Sequence, residues 1–412
     1  MNEPGDPGNP LEGLLGDLLK MIGGAPGGAS AWFEAARSLA QGVATDGAPE
    51  GNVDPLLRIR LEELARVAEL HVADATGLAL RADAASLGFN PVGRGAYSQL
   101  VLESWRPWVE RMVRAQEGGS SALDQLGLGQ LGASDLGLGD DLAGGAGLQD
   151  LLGRFAATMG PVLLGLQFGS AAGHLAQRAL GQYALPIPWA KTDGLLFVPE
   201  NVKAFADDWS LSLEETELWV CVHELTVHAV LRQPHVATRL DELLEASTAE
   251  AVALQQGLSE RLGGDFSDPE ALNALMSDPE SLLADLLTPG QQASSGQLSA
   301  LTTAIGGYVD HITASVAQKL TGSAGALSEA WYRYRTADAK GEQAAGGLFG
   351  LDLSRAQVDR GAAFVRGVLE RSGEEGLSRL FAAPRNLPTP AEVDAPGLWL
   401  ERIDLPEEPS GS

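Results

Sequence analysis

Between Arg154 and Arg178 the chain runs for 23 residues, Phe155 to Gln177, without a formal charge. A run of that length either crosses a bilayer or is covered by protein on most of its sides. Gly165, Gly169 and Gly173 recur within it at four-residue spacing, so they share one helix face and let a second helix approach closely. The same run contains Pro161, Gln167, Ser170, His174 and Gln177, and no aromatic belt flanks it. Those polar groups favour a buried helix of a helical core over a membrane span.

Helical periodicity dominates elsewhere. LLRIRLEELARVAELHVADATG sets Leu61, Leu64, Val67, Ala68 and Val72 at helical intervals. SQLVLESWRPWVERMVRA does the same with Leu100, Trp105, Trp108, Val109 and Met112, and Pro107 predicts a kink or a new first turn. Aromatics on such a face read as core. GLLFVPENV, at 194–202, carries the clearest strand signal, ended by Pro199. Ser212, with Glu215 three residues later, has the pattern of a capping box at the start of a helix. The fold class expected is mainly α, with few short strands.

The organisation expected is an N-terminal mobile segment 1–30, a helical region 31–116, a Gly/Leu/Asp-rich linker 117–150, a helical core 151–402 and a tail 403–412. Within the first segment Leu11, Leu14, Leu15, Leu18 and Leu19 form a short amphipathic piece that suits docking on the main body or on a partner. Residues 261–298 read as loop with short helices, and residues from 383 onward as an extended acidic stretch. The linker resembles no phosphate loop, because no Lys-Ser/Thr follows its glycines.

Lys and Arg number 28 against 55 Asp and Glu, so the net charge is 28 − 55 = −27. That charge repels phosphate at long range and excludes a nucleic-acid partner or a polybasic membrane-surface role. Cys221 is the single cysteine, which rules out a disulfide within the chain and a cysteine-rich zinc site. The start, MNEPGDPGNP, lacks the basic and apolar regions of a signal peptide, and a cytoplasmic location is expected.

Of six histidines, His223, His228 and His235 fall within thirteen residues, and Glu224 follows His223. The surrounding LWVCVHELTVHAVL is apolar, and a carboxylate and imidazoles there are costly unless paired or metal-bound. His-Glu-x-x-His on a helix is a known zinc device. Its two His lie one turn apart on one face, and its Glu acts as general base on metal-bound water. Here the position four residues after His223 is Val227 and the next His is five residues on. Five residues of regular helix turn through about 500°, leaving His223 and His228 roughly 140° apart. A one-turn π-bulge would realign them. The segment is therefore a bulged metal site or a decayed one.

Four stretches, spanning about 155–402, resemble the zincin-like metallopeptidases of actinobacteria and related bacteria, a family that includes hydrolases and members associated with deazaflavin biosynthesis. They are GPVLLGLQFGSAAGHLAQRALGQYALPIP, LLFVPENVKAFADDWSLSLEETELWVCVHELT, LTTAIGGYVDHITASV and NLPTPAEVDAPGLWLERI. The resemblance implies a zincin-like helical domain, a peptide or protein substrate, and zinc. It matches His223 to a first zinc ligand and Glu224 to the general base. Val227 stands at the second-ligand position with His228 beside it, and Gly306 stands where active-looking relatives carry a ligating Glu. Asp310 matches an acidic position of the later helix, and His311 follows it.

Two functions follow. One is a zinc-dependent metallopeptidase with Glu224 as base and zinc held by His223, His228 and either Asp310 or His311. The other is a catalytically inactive zincin-like protein with a binding or scaffolding role, motivated by Val227 and Gly306. Tyr308, His71, His174, Trp105, Trp108 and Cys221 are read as structural.

Overall fold

The computed structural model of the chain describes residues 31–80, 87–117, 145–189, 194–264, 289–337 and 340–406. The Leu11–Met21 piece and most of the expected linker lie outside the described residues.

The four-residue glycine spacing of the uncharged run has a direct use. Helix α1 (Ala31–Ala44) lies along α4 (Gly145–Arg178). A Cβ at Gly165 would sit 2.2 Å from the Trp32 carbonyl oxygen, and one at Gly169 would sit 2.5 Å from that of Ala36. At Gly173 it would meet Val43 Cβ at 2.6 Å. The two backbones touch, and any side chain at these positions would force them apart. Trp32, Ala36, Ala40 and Ala44 are fully buried as a result. Among the described residues no helix is long and apolar enough to cross a membrane.

Helix α2 (Pro55–Thr76) starts where Asp54 accepts a hydrogen bond from Leu56 N, with Pro55 in the first turn. It ends at Gly77, whose φ of 64° is the left-handed conformation of a helix stop. Helix α3 (Arg94–Glu117) runs through Pro107 as one helix. Pro107 faces outward, while Trp105 and Trp108 face the core and pack edge-on against Phe349.

The expected strand is present as β2 (Leu195–Phe197), buried throughout. Its parallel partner β1 (Phe89–Pro91) pairs Phe89 with Leu195, Asn90 with Leu196 and Pro91 with Phe197. On the other side of β2, Gly181 forms an antiparallel bridge with Phe197. Pro199 ends the strand by opening α5 (Pro199–Asp208) at its first turn.

Then come α6 (Leu213–Leu231), α7 (Pro234–Gly264), α8 (Pro289–Leu320), α9 (Ala324–Thr336), α10 (Lys340–Gly347) and α11 (Arg355–Ser378). Helix α6 is central, packed by α2 and α8, and α8 in turn is crossed by α11. The fold is mainly α with two short strands.

Two expectations are corrected. Helix α8 begins at Pro289, so the last part of the segment read as loop with short helices, 289–298, belongs to one long helix. Residues 384–404 are not an extended stretch. A 3₁₀ turn (Pro384–Asn386), α12 (Pro390–Asp394) and α13 (Pro396–Asp404) occupy them. Pro390 and Pro396 sit at helix starts, where a missing N–H costs nothing. Thr389 and Glu392 form a complete capping box. The fully buried Trp399 donates its Nε1–H to the Asn386 carbonyl at 2.7 Å.

Candidate functional site

Helix α6 carries the His-Glu segment, and its start sets the register. Ser212 Oγ accepts from Glu215 N at 3.4 Å. The reciprocal half of the expected capping box is absent. The Glu215 carboxylate instead accepts from Gly322 N at 3.0 Å and from the Ser323 hydroxyl, tying α6 to the start of α9. Those hydrogen bonds hold its carboxyl below the usual carboxylate range.

From Leu213 to Leu231 the helix is regular α, with no π-turn. His223 and Val227 therefore share a face, offset by about 40°, with Glu224 beside them. All three line a cleft of about 160 Å³ whose opposite wall includes Ile305 and Gly306 of α8 and Trp331, Tyr334 and Arg335 of α9. His223 stacks on Trp219, with ring centroids 5.4 Å apart and planes at 18°, and meets the edge of Trp331 at 4.9 Å.

Glu224 is held by the segment that follows α4. Its Oε2 accepts from Tyr183 N at 2.9 Å, and its Oε1 lies 3.5 Å from His223 Nδ1. A Cβ at Gly181 would fall 2.4 Å from Glu224 Cδ, so a glycine is needed where this backbone crosses the carboxylate. Because Gly181 also bridges β2, the short sheet fixes the position of Glu224 through two contacts. A buried carboxylate (3% exposed) is tolerated here because a backbone N–H faces it.

His228 points elsewhere and is not among the cleft residues. Its Nδ1 lies 2.8 Å from Tyr183 Oη. Burial, with Arg232 adding to it, pushes the imidazole down to about 4, so it is neutral near pH 7. Burial and Glu224 push the Tyr183 phenol up, which keeps it protonated and able to donate to His228. With the hydroxyl as donor, the imidazole proton sits on Nε2.

The remaining candidates are committed to other partners. Asp310 forms an ion pair with Arg335, and His311 Nε2 lies 2.9 Å from Glu374 Oε1. Tyr308 is buried against Phe381, edge to face at 5.1 Å. Cys221 is fully buried, and burial raises its thiol well above the ordinary value.

The donor set does not suit a zinc ion. A catalytic zinc needs three protein ligands within about 2.0–2.3 Å. Within the cleft His223 offers an imidazole, Val227 and Gly306 offer nothing, Glu224 is fastened by Tyr183 N, Glu342 is paired with Arg178, and Asp352 accepts from Ser354 N. Among the described residues no three His, Cys, Asp or Glu side chains converge on one point.

Several lining residues escaped the sequence reading. Trp331, Tyr334 and Arg335 fall at helical spacing in AWYRYRT, a pattern that could have marked one face of α9. Arg178 spans the rim, with Nε 2.8 Å from Glu342 Oε1 and Nη2 2.6 Å from the Tyr334 carbonyl. Nothing local distinguishes Tyr183.

A solved structure from Chloroflexus aurantiacus, described as a candidate hydrolase with a novel fold, superposes with a TM-score of 0.60 at 24% identity. The match covers 91% of this chain and 99% of that one, and it shows a shared fold. No curated protein matches the chain. The family model for zincin-like metallopeptidases matches residues 32–400. This chain belongs to the zincin-like metallopeptidase family.

Proposed function

We propose that this member of a metallopeptidase family uses the α6–α8–α9 cleft to hold a peptide segment, and that it does not cut the segment with zinc. The observation that carries this reading is the pair Val227 and Gly306, which line the cleft without a donor atom while His228 is turned to Tyr183. The peptide class is supported by the family and by the wall. Trp219, Val220, Val227, Ile305 and Trp331 make it largely apolar, and its arginines are matched, Arg178 by Glu342 and Arg335 by Asp310. A neutral, partly apolar ligand suits such a surface better than a free anion does.

Selection of a displayed peptide library on the purified full chain tests this. Enriched peptides should bind wild type, lose binding to Gly306→Trp at unchanged melting temperature, and stay intact by mass spectrometry with or without a chelator. Chelator-sensitive cleavage that disappears in Glu224→Gln would refute the reading.

The second reading is the zinc metallopeptidase, with Glu224 as base. It is favoured by one observation, that His223 and Glu224 face the same cleft. It requires stoichiometric zinc on the purified wild type, with His223, His228 and Asp310 or His311 as ligands. For that to happen His228 would have to leave Tyr183, and either Asp310 would have to leave Arg335 or His311 would have to leave Glu374.

A further inference from the structure

Helix α2 has two apolar faces. Leu57, Leu61, Ala65, Ala68 and Val72 are buried and pack the helix on the body. Roughly 160° around the axis, Leu56, Ile59, Val67 and Leu70 stand in the open, exposed by 70%, 57%, 44% and 70%. These four fall within an arc of about 80°, and the exposed Glu63 lies at its centre. A single exposed aliphatic is ordinary on a protein surface, but four on one stripe of about four turns form a patch that suits a partner.

The stripe reads the same in both directions from Glu63. Leu56 and Leu70 each lie seven residues from it, and Ile59 and Val67 each lie four. A two-fold axis through position 63 therefore sets Leu56 on the partner's Leu70 and Ile59 on the partner's Val67, as an isologous contact requires. The charges obey the same axis. With the two helices antiparallel, the exposed Arg66 comes within about 3–5 Å, measured along the axis, of the partner's Glu62 and the partner's Glu63. Each central carboxylate is thus flanked by a guanidinium from the other copy.

We infer that the outer face of α2 is covered by α2 of a second copy of the chain, antiparallel and centred on Glu63. An unrelated partner would give the face no reason to be symmetric. No residue of α2 lines the α6–α8–α9 cleft, so the inference stands apart from the function proposed for that cleft. One helix pair is a small interface, and the dimer belongs in the micromolar range.

Sedimentation velocity of the full chain from about 1 to 200 µM should show monomer passing into dimer. Val67→Lys and Leu70→Lys leave the buried face untouched. Each should raise the dissociation constant by at least about 100-fold, with the melting temperature of the dilute monomer unchanged. Cysteine variants and a short bismaleimide read the register, because the native Cys221 is buried. Glu63→Cys should cross-link to itself. Leu56→Cys should cross-link only when mixed with Leu70→Cys, since the two copies of position 56 lie about 21 Å apart along the axis.

A full chain that stays monomeric at about 200 µM overturns the inference. So does dimerisation that appears only after residues 1–22 are removed, which would give the face to the N-terminal leucine segment instead. A dimer indifferent to lysine at 67 and 70, or self-linking of Leu56→Cys, overturns it as well.

Discussion

The Tyr183–His228 pair makes stability depend on pH in a calculable way. The folded imidazole is held at about 4 against an ordinary value of 6.5, mainly by burial. A base with a depressed folded value binds protons more readily unfolded, so acid favours unfolding. The contribution of His228 is fully present above pH 6.5 and is lost progressively as pH falls to about 4. Between pH 7.5 and pH 5.0, proton linkage at that one site removes about 2 kcal/mol.

The perturbation is His228→Gln. The amide oxygen can still accept from the Tyr183 hydroxyl but does not titrate. Guanidinium unfolding of both proteins at pH 7.5, 6.0 and 5.0 gives the difference in stability. Wild type should lose about 2 kcal/mol more than the variant between the first and last pH. Carboxylates titrate in both proteins and cancel in the difference. Parallel losses, with a difference below about 0.5 kcal/mol, would refute the buried neutral imidazole and its bond to Tyr183.

Other expectations are simpler. Gly306→Ala should be neutral or stabilising by up to about 1 kcal/mol, because Ala is the better helix former and its Cβ has room; Gly307→Ala should destabilise by about 1–3 kcal/mol, and thermal melts of the two compare directly. Arg402→Lys should loosen the C-terminal segment. Its guanidinium bonds both Glu392 oxygens and the Arg385 and Leu387 carbonyls, and an ammonium cannot reproduce that fork; hydrogen exchange over 384–406 should speed up by about tenfold or more. Cys221 should resist a thiol reagent in the native chain and react at once in denaturant, since it is fully buried with its thiol raised.

Local patterns carried much of the fold. The 3.6-residue periodicity announced α2 and α3, Ser212 marked the start of α6, and LLF marked β2. The four-residue glycine spacing announced a close helix contact, because a missing Cβ has few other uses in a long apolar helix. Thr389-Pro-Ala-Glu392 is equally legible as a capping box, while the prolines around it also suit extended chain. Strand β1 had no comparable signal: three residues ending in proline form a strand only because β2 lies alongside.

The site divides the same way. That His223, Glu224 and Val227 share a face, and that His228 leaves it, follows from helical geometry once the helix is regular. That regularity belongs to the packed state, since a π-turn differs from an α-turn by one local hydrogen-bond shift. What His228 does instead depends on Tyr183, 45 residues away in the chain. The partners of Asp310 and His311 lie 25 and 63 residues away. Composition and local spacing settle which groups are available and which face of a helix they occupy. Which of them meet is set by long-range packing, of α2 and α8 against α6 and of α11 across α8, and among the described residues that packing brings no three His, Cys, Asp or Glu side chains to one point.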